Sequence, residues 1–209
     1  MSSQPSRVTN IDGRSLLVFD DLFSDAQVRN FGHVVTQLDY TRRASFDGEL
    51  NANIDEDAFR RAPFLYPVLE ALVAEHRAAL VIPDTTTMSH VYAAAMSSQQ
   101  HPEIHRDLES PDAVTFLYYA NTFWRRDWQG ETVFYDNAGD ATAIVSPRPG
   151  RLAMFHSNIA HRAGAPHRDA ASVRYAVSVF YYPAEEDVEG ISEKRSKARD
   201  PFKTNRTLT

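Results

Sequence analysis

The spacing of apolar and polar positions divides the chain into a helical first part and a strand-rich second part. Ser15-Leu-Leu-Val-Phe19, closed by Asp20-Asp21, is a short apolar run of the kind that forms a strand. Ser24 and Gln27 then stand at capping-box spacing, with Phe23 placed as a hydrophobic staple. The helix they open carries Val28, Phe31, Val34, Val35 and Leu38 on one expected face. A second helical stretch covers residues 56–80, broken near Pro63 or Pro67, with Leu69, Leu72, Val73, Ala79 and Leu80 as its stripe. After Pro83 the pattern changes to short β-type runs at 86–96, 113–120, 131–135, 143–145, 152–155 and 174–182. Gly- and Pro-containing turns separate them, at Asp127-Trp-Gln-Gly130, Asn137-Ala-Gly139 and Pro147-Arg-Pro-Gly150. Helices followed by closely spaced strands predict an α+β fold, a barrel or sandwich carrying helices on one side.

The pattern also sets the expected boundaries. Residues 1–14 are polar and read as a flexible arm, residues 15–184 as a single domain with its β core at about 86–183, and residues 185–209 as a charged tail or lid. No internal repeat breaks this unit.

Composition narrows the chemistry. A chain of 209 residues that is 43% hydrophobic and 11% aromatic can bury a substantial core. No apolar run is long enough to span a bilayer, and the first residues lack a signal-peptide pattern, so neither membrane nor secretion is expected. Cysteine is absent, which excludes disulfides, zinc–thiolate sites and thiol catalysis, and suits a cytoplasmic setting. The net charge of -6 argues against a nucleic-acid-binding surface. Any metal must therefore be held by His, Asp or Glu, and eight histidines are present.

One short segment stands out among them. In Ile104-His105-Arg106-Asp107, just ahead of the run at 113–120, an extended backbone points His105 and Asp107 to the same side. Read alone, a histidine beside an aspartate is as ordinary as any solvated pair. His161, after the run at 152–155, is the best candidate for a third ligand. Two His and one carboxylate on one face is the arrangement used for non-haem Fe(II), with three positions left open.

The company this segment keeps gives it meaning. Thr115-Phe-Leu-Tyr-Tyr-Ala-Asn121, Trp128-Gln-Gly-Glu131, Phe134-Tyr-Asp136, Pro147-Arg-Pro-Gly-Arg-Leu-Ala-Met-Phe155, His161 and Arg174-Tyr-Ala-Val-Ser-Val-Phe-Tyr-Tyr182 follow in order. The series resembles the 2-oxoglutarate/Fe(II)-dependent oxygenase superfamily, and within it the prolyl-hydroxylase-like branch. That resemblance implies a double-stranded β-helix, a jelly-roll or cupin-like barrel, with the N-terminal helices on one sheet. It implies His105, Asp107 and His161 as ligands to Fe(II). It makes Arg174 the partner of the distal carboxylate of 2-oxoglutarate, a task that suits a planar guanidinium fork. Ser178 would assist there, and Tyr119 would donate its phenol to the same carboxylate. O2 is the other cosubstrate. Halogenating relatives have a small residue in place of the aspartate, so Asp107 favours hydroxylation.

This sequence departs from the pattern in two places. Residues 162–173 make a long connection between His161 and Arg174, expected as a loop, and Ala93-Ala-Ala-Met96 stands where some relatives carry an aromatic. His101, His156 and His167 read as surface or supporting histidines. Trp124 and Trp128 are either a substrate wall or turn packing. Arg106, Arg125, Arg126, Arg162 and Arg168 are either an anion-attracting rim or solvated loop charges. The expected substrate is a small molecule, an amino acid or natural-product intermediate, with an anionic one among the options. The competing readings are a peptidyl-prolyl or other protein hydroxylase, and a cupin-like or lectin-like metal-binding module without redox turnover.

Overall fold

The computed structural model describes residues 4–42 and 50–183. Strands β1 (Arg7–Ile11) and β2 (Arg14–Phe19) form an antiparallel hairpin. Residues 7–11, expected to belong to a flexible arm, are thus a paired edge strand. Its turn, Asp12-Gly13, has both residues at positive φ (50° and 82°), which a two-residue hairpin requires. Only Ile11 is buried while Val8 is exposed, so the strand carries almost no hydrophobic signal.

Helix α1 (Asp25–Thr36) begins at Ser24 with both halves of the capping box made. Val28 and Val35 are buried, whereas Val34, placed on the same face by the sequence pattern, is 58% exposed. Gly32 takes the contact position instead. A Cβ there would lie 2.6 Å from Thr122 Cγ2 and 2.7 Å from the Ala120 carbonyl oxygen, so the bare backbone lets the helix sit on the sheet. The second helical stretch divides at Pro63 into α2 (Glu56–Arg61) and α3 (Leu65–Leu80), with Pro67 tolerated in the first turn of α3. Leu65, Leu69, Leu72, Val73 and Leu80 are buried; Ala79 is on the solvent side.

The remaining strands are β3 (Thr41–Arg42), β4 (Leu50–Asn53), β5 (Thr86–Met96), β6 (Val114–Tyr119), β7 (Thr132–Tyr135), β8 (Ala141–Val145), β9 (Leu152–His156), β10 (His161–Ala163) and β11 (Arg174–Pro183). They form a major sheet in the order β1-β2-β9-β6-β11-β5-β4-β3 and a minor sheet in the order β10-β7-β8. Two facing sheets with these crossovers make the double-stranded β-helix, mostly β with few helices.

Period-two alternation assigns the faces. On β11, Val177, Val179 and Tyr181 join the core shared with α1 and α3, while Ala176 joins the core between the two sheets. Arg174 and Ser178 share that inner side and line its cleft. The helices therefore close one face of the major sheet, and the chemistry lies on the other. No helix among the described residues is long and apolar enough to cross a membrane. The charged stretch 185–209, expected as a tail or lid, lies outside the described residues.

Candidate active site

His105 and His161 are brought together by the backbone itself. They face each other across an antiparallel bridge, each N–H donating to the other's carbonyl oxygen at 2.9 and 2.8 Å. Their rings consequently meet at a centroid distance of 4.6 Å. Asp107, two residues on, is held by its N–H to the Ser157 carbonyl at 2.9 Å. Its Oδ1 lies 3.7 Å from His105 Nε2 and its Oδ2 3.6 Å from His161 Nε2. One donor atom from each of the three residues fits within 4.8 Å, and the group could hold a metal ion.

The surrounding hydrogen bonds orient these ligands. His105 Nδ1 faces the Glu103 carbonyl at 3.0 Å and His161 Nδ1 the Ile159 carbonyl at 2.9 Å. A ring that donates from Nδ1 keeps Nε2 as its lone-pair atom, and both Nε2 atoms point at Asp107. The Asp107 Oδ2 accepts from the Thr115 hydroxyl at 2.8 Å, and Thr115 meets the Ser157 hydroxyl at 2.9 Å. His161 packs between Phe134 and Phe155. Burial, with a smaller push from His105 and against the pull of Asp107, lowers its pKa to about 4. The imidazole is neutral at ordinary pH, the form that coordinates.

Arg174 lines the same cleft, on the first residue of β11, and is 2% exposed. Its Nη2 donates to Thr132 Oγ1 at 2.9 Å, and its Nε has no hydrogen-bond partner. Among the described residues no carboxylate pairs with it. A buried, unpaired guanidinium is costly, and it fits a carboxylate arriving from outside. Ser178 and Thr132 line the cleft alongside it.

Tyr119, expected to donate to the cosubstrate carboxylate, makes its hydrogen bonds within the protein beneath Arg174. Its hydroxyl donates to the Val145 carbonyl at 2.9 Å and lies 2.9 Å from Thr132 Oγ1, while the Arg174 guanidinium sits 5.0 Å over its ring. Because the phenol has one proton and Val145 takes it, Thr132 donates to Tyr119 and accepts from Arg174. The chain Arg174, Thr132, Tyr119, Val145 is directional, and Tyr119 supports the guanidinium from below.

Other candidates fall elsewhere. His101 is exposed, and its neighbour Pro102 lines the cleft. His156 ties the end of α3 to β2 through the Leu80 carbonyl and the Ser15 N–H. His167 pairs with Asp169 at the surface. Trp124 and Trp128 pack edge-to-face at 5.4 Å in the turn before β7 and do not line the triad cleft. Arg106 reaches Glu109, Arg125 reaches Asp127, Arg162 donates to the Tyr135 hydroxyl and Arg168 reaches Asp169, while Arg126 lines a separate pocket with Arg148 and Arg151. The long connection 162–173 docks on the preceding turn, with the His167 N–H on the Trp128 carbonyl. It thereby leaves Arg174 on the cleft.

Sequence reasoning passed over Tyr92, Thr115 and Thr132, all of which line the cleft. Tyr92 stands one residue before the three alanines where no aromatic was found; its inward alternation with Ala94 was the available signal.

Paired histidines and one carboxylate, inward-facing on a double-stranded β-helix, define the class of mononuclear non-haem iron enzymes. Comparison with known proteins narrows the class. Residues 88–182, a little under half of the chain, match the 2OG-Fe(II) oxygenase superfamily. The chain is accordingly an oxygenase that works with Fe(II), 2-oxoglutarate and O2. No curated protein matches the chain in sequence.

Solved structures share its fold. A prolyl hydroxylase from Trichoplax adhaerens, in complex with a peptide of the hypoxia inducible factor oxygen degradation domain, is 20% identical, with a TM-score of 0.59 over 88% of this chain and 86% of that one. A prolyl-4-hydroxylase from Pseudomonas putida is 14% identical, with a TM-score of 0.62 over 80% and 91%. HygX from Streptomyces hygroscopicus, with nickel and 2-oxoglutarate bound, is 13% identical, with a TM-score of 0.56 over 81% and 83%.

Proposed function

We propose that the chain hydroxylates an unactivated C–H bond of a small molecule, an amino acid or natural-product intermediate, with release of succinate and CO2. His105, Asp107 and His161 hold the Fe(II), and Arg174 takes the distal carboxylate of 2-oxoglutarate with Ser178 beside it. The observation that carries this reading is the buried guanidinium of Arg174, whose Nε is unpartnered on the wall of the cleft that holds the triad. When bound, the metal and 2-oxoglutarate would supply the oxidising chemistry, turning O2 and the oxo-acid into the inserted oxygen, succinate and CO2.

The chain's own contribution is placement. Thr115 and Ser157 fix the Asp107 carboxylate, and the carbonyls of Glu103 and Ile159 fix the two imidazoles. The Thr132–Tyr119–Val145 chain holds one edge of the Arg174 guanidinium and leaves Nε for an incoming oxygen. Phe155 and Leu117 add apolar surface to the cleft wall, which strengthens each charge-assisted contact.

The test has two stages. Under anaerobic conditions Fe(II) with 2-oxoglutarate gives the weak visible charge-transfer band of a chelated oxo-acid; His161→Ala abolishes it, while His101→Ala and His167→Ala keep it. Loss of the band in His167→Ala alone would overturn the ligand assignment. With O2, succinate release is then followed across a panel of free metabolites and a panel of proline-containing peptides. Stimulation by peptides alone would replace the small-molecule reading with a protein hydroxylase.

A further inference from the structure

Strand register lays out the inner face of the major sheet in rows. In one row Tyr119, Ala176, Ala94 and Asn51 are successive Cα partners across β6, β11, β5 and β4. In the next row stand Leu117, Ser178, Tyr92 and Asn53. Directly paired residues project to the same side of a sheet. Ala52, between the two asparagines, packs into the core under the helices, so Asn51 and Asn53 face the other way, toward the side of the cleft.

The two alanines in the first row, Ala176 and Ala94, line the triad cleft and reach no further than Cβ. The sheet floor is therefore low between Arg174 and Asn51. On the far side of that hollow Asn51 is 3% exposed, and its Oδ1 has no hydrogen-bond partner. A buried amide oxygen is ordinarily satisfied, and leaving one unmet costs stability. The backbone at this point is secured independently, because the Thr41 hydroxyl donates to the Asn51 carbonyl. The side chain is not needed to hold the β3–β4 hairpin.

We propose that Asn51 reads the substrate: its side-chain oxygen accepts a hydrogen bond from an N–H or O–H of the molecule being oxidised. This rests on the triad being the metal centre. β4 lies two strand spacings from β11, about 10 Å. The substrate class that fits is a compact polar molecule carrying an amine, amide or hydroxyl donor. Arg174 and Asn51 then divide the cleft: the oxo-acid carboxylate goes to the β11 start, and the substrate donor goes to β4.

Two variants test this. Asn51→Leu keeps the volume and removes the acceptor; Asn51→Asp keeps an acceptor oxygen. Both are expected to bind 2-oxoglutarate as the parent does, read by the anaerobic charge-transfer band, and Asn51→Leu is expected to melt at the same temperature or higher. Succinate release is measured with the free amino acids, their amides and hydroxylated amino acids as probes. For whichever probe stimulates the parent protein, Asn51→Leu should raise KM tenfold or more with little change in kcat, and Asn51→Asp should stay within about threefold. An Asn51→Leu protein that melts several degrees lower, or fails to fold, assigns the residue a structural role and overturns the proposal. An unchanged KM, or a panel in which no donor-bearing probe stimulates, overturns it as well. A parent protein that shows no charge-transfer band overturns the metal-site reading instead.

Discussion

Replacing Arg174 by Met removes the charge and the fork while keeping most of the volume. The guanidinium makes one neutral-acceptor hydrogen bond, to Thr132, and no carboxylate pairs with it among the described residues. Little native stability should therefore be lost, and the unliganded variant should melt near the parent or above it. Cosubstrate binding should respond very differently. A charge-assisted contact to a carboxylate is worth about 1.5–3 kcal/mol, so the dissociation constant for 2-oxoglutarate should rise about 10- to 100-fold. Ligand-induced stabilisation gives a second reading of the same quantity. At a concentration 100 times the parent's dissociation constant the gain is about 2.7 kcal/mol, and a 100-fold weaker variant gains only about 0.4 kcal/mol. For a domain of this size that is a rise in Tm of about 5–10 °C falling to about 1–2 °C. The assays are thermal melts of the metal-loaded protein with and without 2-oxoglutarate, and the KM for 2-oxoglutarate in succinate release. A variant with parental cosubstrate affinity would refute the reasoning, and so would Arg162→Ala or Arg168→Ala producing the loss in its place.

Three further outcomes follow from the geometry. Thr115→Val removes the hydroxyl that donates to Asp107 at 2.8 Å, so metal affinity in a calorimetric titration should fall about 10- to 100-fold with the fold intact. Gly32→Ala puts a methyl 2.6 Å from Thr122 Cγ2, and should cost about 1–3 kcal/mol in urea unfolding while a control at exposed Val34 costs little. The metal-free protein should lose stability as pH falls from the ordinary histidine value near 6.5 toward 4, because burial lowers the folded-state pKa of His161 and the unfolded chain takes up the proton first. That loss, about 3 kcal/mol at most, should shrink in His161→Asn; an equal acid slope in both proteins would point to other groups.

Much of the active centre is legible along the chain because its rules are local. His105 and Asp107 share a side through period-two alternation, Ser24 and Gln27 cap α1 at fixed spacing, and β5, β6 and β11 announce themselves as apolar runs bounded by turns. Arg174 is marked only by the resemblance of the ordered series to the oxygenase superfamily, which implies an arginine at the start of the last core strand. Other features have no local sign. Tyr92, Ala94 and Asn51 become neighbours of Ala176 and Ser178 only when β11 pairs with β5 and β5 with β4, strands far apart in sequence. Thr132 meets Arg174 and Tyr119 only because the minor sheet folds over the major one. The Tyr119 hydroxyl donates to the Val145 carbonyl, an atom whose position depends on β8, so this bond has no sign in the sequence. Val34 turns outward and Gly32 makes the close contact because the sheet surface, rather than helical periodicity, decides which side of α1 comes closest. The sequence by itself determined the shared side of His105 and Asp107 and the long apolar strands, since both depend on spacings of a few residues, whereas the short strands β1, β3, β4 and β10 and the approach of His161 do not. The tertiary structure alone decided which side chains share the cleft and which polar atoms stay unpaired there, since those depend on register between distant strands.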